Sequence, residues 1–225
     1  GARLAAKKRL SPELRVLLGR SLDARGRREE ARVVLDVLAD QYESGSLTSP
    51  KDKLWLALSL VANDYPADAN DIFREVLDAP GAPPQARVQW AKLFRARYNH
   101  RDASELLEES LKASPGDVDT LVELAAVDVE SDRDYARATD RLKKVIEAAP
   151  QCAPAHNLLA RIDLENERPQ AAVKRLLSTS LKVAPRDLEA LALLATAHAL
   201  LDDAPAFAKI EQRALAIHPR AAAFY

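Results

Sequence analysis

The chain has 225 residues, 48% hydrophobic and 30% charged, a balance that suits a folded protein and not a disordered one. Its 33 basic and 34 acidic side chains leave a formal net charge of −1, so no overall field draws it to nucleic acid or anionic membranes. No run of 18 apolar residues is present to span a bilayer, and the single cysteine, Cys152, excludes an internal disulfide.

Ala, Leu and Arg dominate and aromatics are only 5%, a mixture that favours helix over strand. A hydrophobic pattern recurs about every 34 or 35 residues, and its spacing predicts six helix pairs. The first covers 12–45: Ser11 and Pro12 form a cap and first helical residue, Leu14, Leu17, Leu18 and Leu22 follow at helical spacing, and Gly26 permits the turn. Ala31, Leu35 and Leu38 mark the inner face of its second helix, and Glu43 to Thr48 is a loop. The second pair, 50–83, opens on Ser49-Pro50 and turns at Asn63-Asp64-Tyr65-Pro66. The third, 84–117, carries Trp90-Ala91, Phe94, Ala103 and Leu107. The fourth, 118–152, is capped by Asp117 and holds one extra residue near Ser131–Tyr135. The fifth, 153–187, has its extra residue late, before Pro185. The sixth, 188–221, carries Phe207 and Glu211 in place of the pattern residues, which predicts the least regular second helix. Residues 1–11 form an N-terminal segment, and 222–225 begin a truncated further helix.

Gly19, Ala57, Ala91, Ala125, Ala160 and Ala195 share one position, where a small residue lets paired helices approach towards the lower end of the usual ~8–10 Å separation. The large residues just before them, among them Leu56, Trp90 and Leu124, fill the space between neighbouring pairs. Prolines 115, 150, 185 and 219 punctuate the series at spacings of 35, 35 and 34.

At these positions the chain resembles the tetratricopeptide-repeat family, whose pattern is W-x2-L-G-x2-Y, then A-x3-F, then P. Leu18, Gly19, Leu22, Gly26, Ala31 and Leu35 fit it, over about 12–221 in all, although the leading Trp is missing everywhere and the Tyr is mostly substituted. The resemblance implies an all-α, right-handed superhelical solenoid whose first helices line a concave groove for a peptide or partner helix. The groove-facing positions then include Val16, Arg20, Asp23, Leu58, Val88, Lys92, Arg95, Val122, Ala126, Glu130, Asn157, Arg161, Glu165 and Thr196. Arg20, Lys92, Arg95, Asn157 and Arg161 are the candidates for ligand contact, the cations pairing with ligand carboxylates or simply solvating the surface. The carboxylate clamp of chaperone-tail receptors needs Lys and Asn where this chain has Val16 and Arg20, so that clamp is not present.

A second resemblance is to the N-terminal repeats of large bacterial proteins that end in a zinc metallopeptidase-like domain. It rests on Arg97-Tyr98-Asn99, His156 to Arg161, Ala190 to Ala195 and Pro219 to Tyr225. It implies a substrate-presenting or assembly module whose catalytic part lies beyond Tyr225.

No H-E-x-x-H, Walker-type or G-x-S-x-G motif occurs, so the expectation is a non-enzymatic scaffold without cofactor or metal. Cys152 and His156 lack a third ligand, and Pro154 lies between them. The first 32 residues hold ten arginines and lysines against four acids, read as a solvated helix face more readily than as a nucleic-acid or lipid patch. The partners expected are protein or peptide, not nucleic acid, and an uncapped apolar end would allow a homodimer. A chain that lacks Met and stops mid-phase reads as a piece of something longer, and the compartment, cytoplasmic or periplasmic, is left open.

Overall fold

The computed structural model of the chain describes residues 10–218. Residues 1–9 of the expected N-terminal segment, the closing Pro219, the further helix at 222–225 and the uncapped end there lie outside the described residues. The regular elements are all helical: α1 (Pro12–Asp23), α2 (Arg28–Glu43), α3 (Pro50–Ala62), α4 (Pro66–Asp78), α5 (Ala86–Ala96), α6 (His100–Ala113), α7 (Val118–Val127), α8 (Tyr135–Ala148), α9 (Ala153–Glu165), α10 (Pro169–Arg175), α11 (Leu181–Val183), α12 (Leu188–Leu200) and α13 (Ala204–Ile217). Two compact units divide between Leu106 and Leu107, inside α6.

The helices start where capping chemistry dictates. Ser11 Oγ accepts from the Leu14 amide at 3.3 Å and Ser49 Oγ from the Asp52 amide at 3.1 Å, each followed by proline. Asp117 and Asp187 cap α7 and α12 in the same way, whereas Cys152 at the equivalent place before α9 makes no side-chain cap.

Each turn within a pair uses one residue in the left-handed region. Gly26 does so at φ 71°, as glycine can at no cost. Asp64, Tyr98, Arg133, Glu167 and Asp202 do so at φ between 51° and 63°, a conformation that L-residues resist. The turn geometry therefore repeats although glycine does not.

In the first unit, α1 packs on α2 and α3 on α4, around Leu35, Leu38, Leu54, Leu56, Phe73 and Val76, all 1% exposed or less. Gly19 lies so close to Leu35 that a Cβ on it would fall 2.7 Å from Leu35 Cγ. Trp90 stacks between Phe73 and Phe94 at 6.2 and 5.4 Å, and its Nε1 donates to Asn70 at 2.9 Å. The second unit has its own cores, one around Leu121, Leu142 and Leu159 and one around Leu176, Leu191 and Leu194. Ala125 and Ala160, at the small-residue position, are fully buried there.

Two helices contain a π turn, Asp128–Asp132 and Leu176–Ser180, one in each stretch where the prolines are 35 residues apart. A π turn takes in one extra residue without ending the helix. The second helix that breaks is therefore the fifth pair's. The sixth pair's second helix, α13, is an unbroken α-helix of 14 residues despite Phe207 and Glu211, which are half-buried on the same face as the fully buried Ala214.

Candidate partner-binding site

The five ligand-contact candidates fall on first helices of pairs: Arg20 on α1, Lys92 and Arg95 on α5, Asn157 and Arg161 on α9. Arg20, Lys92 and Arg95 belong to the first unit, Asn157 and Arg161 to the second. Their environments differ. Arg20 is exposed and has no ion pair or side-chain hydrogen bond among the described residues. Lys92 and Arg95 are half-buried, and neither is free. Arg161 pairs with Glu130 at 3.2 Å, joining two groove candidates from successive repeats.

Asn157 is 1% exposed, and its amide donates to Asp187, the α12 cap, at 2.8 Å. Its Oδ1 is buried without a hydrogen-bond partner. Asn157 thus ties α9 to the next repeat. The apolar positions expected to face a groove are also interior: Val16 is fully buried and Val88, Leu58, Ala126 and Val122 are 8% exposed or less. Apolar side chains at these positions gain more from packing on the neighbouring helix than from water. Asp23, Glu165 and Thr196 remain exposed.

The sequence reading missed a pair of buried acids one repeat apart. Asp128, 4% exposed, accepts from Arg137 and Arg141, both at 2.8 Å. Asp163, 5% exposed, accepts from Arg168 at 3.0 Å and Arg175 at 3.1 Å. Asp128 holds the Arg137 guanidinium above its usual pKa. Each acid joins the first helix of its pair to arginines of the turn or the second helix. A shared 35-residue phase for Asp128 and Asp163 was the signal available. Arg15, where the repeat pattern has Trp, is also buried, at 1% exposure, and desolvation lowers its pKa.

The first unit carries a second polar network. Glu75 accepts from Tyr42 at 2.8 Å and from Lys53, which also lies 5.7 Å from the centre of the Tyr42 ring. The Lys53 ammonium holds the Glu75 carboxyl below its ordinary pKa, with Tyr42 adding to the effect.

A pocket of about 250 Å³ opens at the ends of α1 and α3 and the start of α2, with Arg20, Arg28 and Arg32 in its wall. The basic excess of the N-terminal sequence is thus partly gathered in one place. His156 Nε2 lies 2.9 Å from the Pro150 carbonyl oxygen, a backbone contact. Among the described residues, no His, Cys, Asp and Glu cluster is arranged to hold a metal, and no helix is long and apolar enough to cross a membrane.

The tetratricopeptide-repeat family model matches residues 94–162 and 129–195. No curated protein matches the chain in sequence. A thermophilic TPR protein of Thermus thermophilus is similar in structure, with a TM-score of 0.68 at 18% identity over 76% of this chain and 93% of that one. The Cut9–Hcn1 hetero-tetramer of APC/C contains a chain similar at TM-score 0.73 and 12% identity, covering 84% of this chain and 37% of that one. PilW, a type IV pilus biogenesis factor, is similar at TM-score 0.63 and 16% identity, over 95% of this chain and 96% of its own. At such identities the likeness is one of fold.

Proposed function

We propose that this tetratricopeptide-repeat protein takes up a peptide or protein segment of a partner along the first helices of its pairs. Proteins of this fold are generally protein–protein interaction scaffolds. The observation that supports the reading most is the tetratricopeptide-repeat match over residues 94–162 and 129–195, with solved TPR structures of the same fold beside it. First helices present exposed polar groups at Arg20, Asp23, Glu165 and Thr196, next to a packed apolar layer that holds them in place. Of the charged candidates, Arg20 is the best placed for direct contact, because Arg161 already has Glu130.

A pull-down with the immobilised chain tests this reading. Partner recovery is expected to fall when Arg20, Lys92, Arg95 and Arg161 are reversed to Glu together. Recovery equal to wild type would remove the first-helix assignment. A partner that proves to be the chain itself, seen as dimer in sedimentation across a concentration series, would replace it with self-association.

A further inference from the structure

We propose that the pocket between α1, α2 and α3 is a carboxylate-binding site that takes an acidic side chain of a partner segment. The inference rests on the scaffold reading and adds a second contact region, away from the first-helix surface alone. Two of the pocket's three guanidiniums, Arg28 and Arg32, come from the second helix of the first pair, and the third, Arg20, comes from the end of α1. The left-handed turn at Gly26 brings these segments round to one opening.

The three cations differ from most of the chain's other arginines. Arg27, Arg74, Arg97 and Arg101 each have a carboxylate partner within 3.2 Å. Arg20, Arg28 and Arg32 have none among the described residues. Two of the nearby acids already have partners. Glu30 is held by both Nε and Nη2 of Arg27 at 2.6 Å, and Asp36 accepts from the Asn63 amide at 2.6 Å. Asp23 alone contributes a negative charge to the pocket wall. Desolvation lowers the Arg20 pKa, the direction for a cation without a counter-charge.

The occupant's chemistry follows from the lining. Beside the guanidiniums the apolar part of the lining is Ala31, Leu35, Val61 and Ala62, with Asn63 next to it. That apolar lining suits the methylenes of a glutamate, and guanidiniums recognise carboxylate through paired N–H donors. The volume, about 250 Å³, is below the ~300–1,000 Å³ usual for small-molecule and cofactor sites, so a side chain fits better than a cofactor. No aromatic ring lines the pocket for base stacking, and Asp23 opposes a doubly charged phosphate.

Fluorescence anisotropy with a labelled peptide of alternating Glu and Leu tests the site, with Gln and phosphoserine versions as controls. The R28E/R32E variant is expected to bind the Glu peptide at least ~10-fold more weakly at unchanged Tm, the scale of one lost charge-assisted hydrogen bond. The Gln peptide is expected to lose binding, and the K144E/K174E variant, which reverses two exposed lysines of α8 and α10, to keep it. Unchanged affinity in R28E/R32E, or equal binding of the Gln peptide, overturns the proposal, as does binding of the phosphoserine peptide in preference to Glu. Those outcomes leave the scaffold reading standing, because that reading is decided by recovery of the whole partner with the first-helix variants.

Discussion

Gly19 and Leu35 leave no room for a methyl group between α1 and α2: a Cβ on Gly19 would meet both Cγ and Cδ2 of Leu35 at 2.7 Å. Leu35 is 1% exposed and packed into the first unit's core, so it has little freedom to move aside. Overpacking costs about 1–3 kcal/mol, and replacing a helical Gly by Ala returns about 1 kcal/mol. Gly19→Ala is therefore expected to destabilise the chain by up to about 2 kcal/mol in urea melts. In a Leu35→Ala background the same change is expected to be neutral or stabilising. Destabilisation of equal size in both backgrounds would contradict the close contact.

The intra-pair turns hold non-glycine residues in the left-handed region, at a cost of about 1–2 kcal/mol each. Glu167→Gly removes that cost at φ 56° and is expected to raise stability by about 0.5–1 kcal/mol, while Gly26→Ala is expected to lower it by a similar amount. Thermal melts of the two variants check the pair. A loss of stability in Glu167→Gly would show that its side chain matters more than its backbone.

Asp163 is the buried acid between Arg168 and Arg175. Removing it leaves two guanidiniums without their acceptor, and hydrogen bonds to charged groups contribute about 1.5–3 kcal/mol. Asp163→Ala is expected to cost about 2–3 kcal/mol. Asp132→Ala removes an exposed partner of Arg137, whose other acceptors remain, and is expected to cost less than about 0.5 kcal/mol. Denaturant midpoints for the two variants separate these outcomes.

Glu75 gives the first unit an acid-sensitive element. Its pKa is lower in the folded chain than its ordinary value of 4.5, chiefly through Lys53. A depressed carboxyl pKa contributes stability that is present above the unfolded value and lost as pH falls through the folded one. From about pH 6 to about pH 3, Tm is expected to fall more steeply for wild type than for Glu75→Gln. Parallel curves would mean that the Lys53 and Tyr42 contacts do not form in solution.

The helix pairs were legible in the sequence because their determinants are local or strictly periodic. Ser11 and Ser49 before proline set helix starts, and Gly19 with its alanine counterparts set the close approach. The left-handed turns at Tyr98 and Glu167 were not, since nothing about those residue types calls for positive φ and the surrounding packing imposes it. The site was less legible than the fold. A periodic position on a first helix says which way a side chain starts, not what it meets. Asn157 starts towards the expected surface and ends in a buried bond to the cap of the next repeat. Arg161 meets Glu130, 31 residues earlier. The grouping of Arg20, Arg28 and Arg32 depends on how the Gly26 turn sets α2 against α1 and α3, which composition alone shows only as a basic excess.

In the proposed complex a partner segment lies on the first helices of the repeat pairs. Amide hydrogen exchange of the chain, alone and with its recovered partner, measures this most directly. Added protection is predicted on α1, α5 and α9, with the second helices α4 and α8 unchanged. Protection confined to second helices, or none on any first helix while the partner remains bound, would contradict the account.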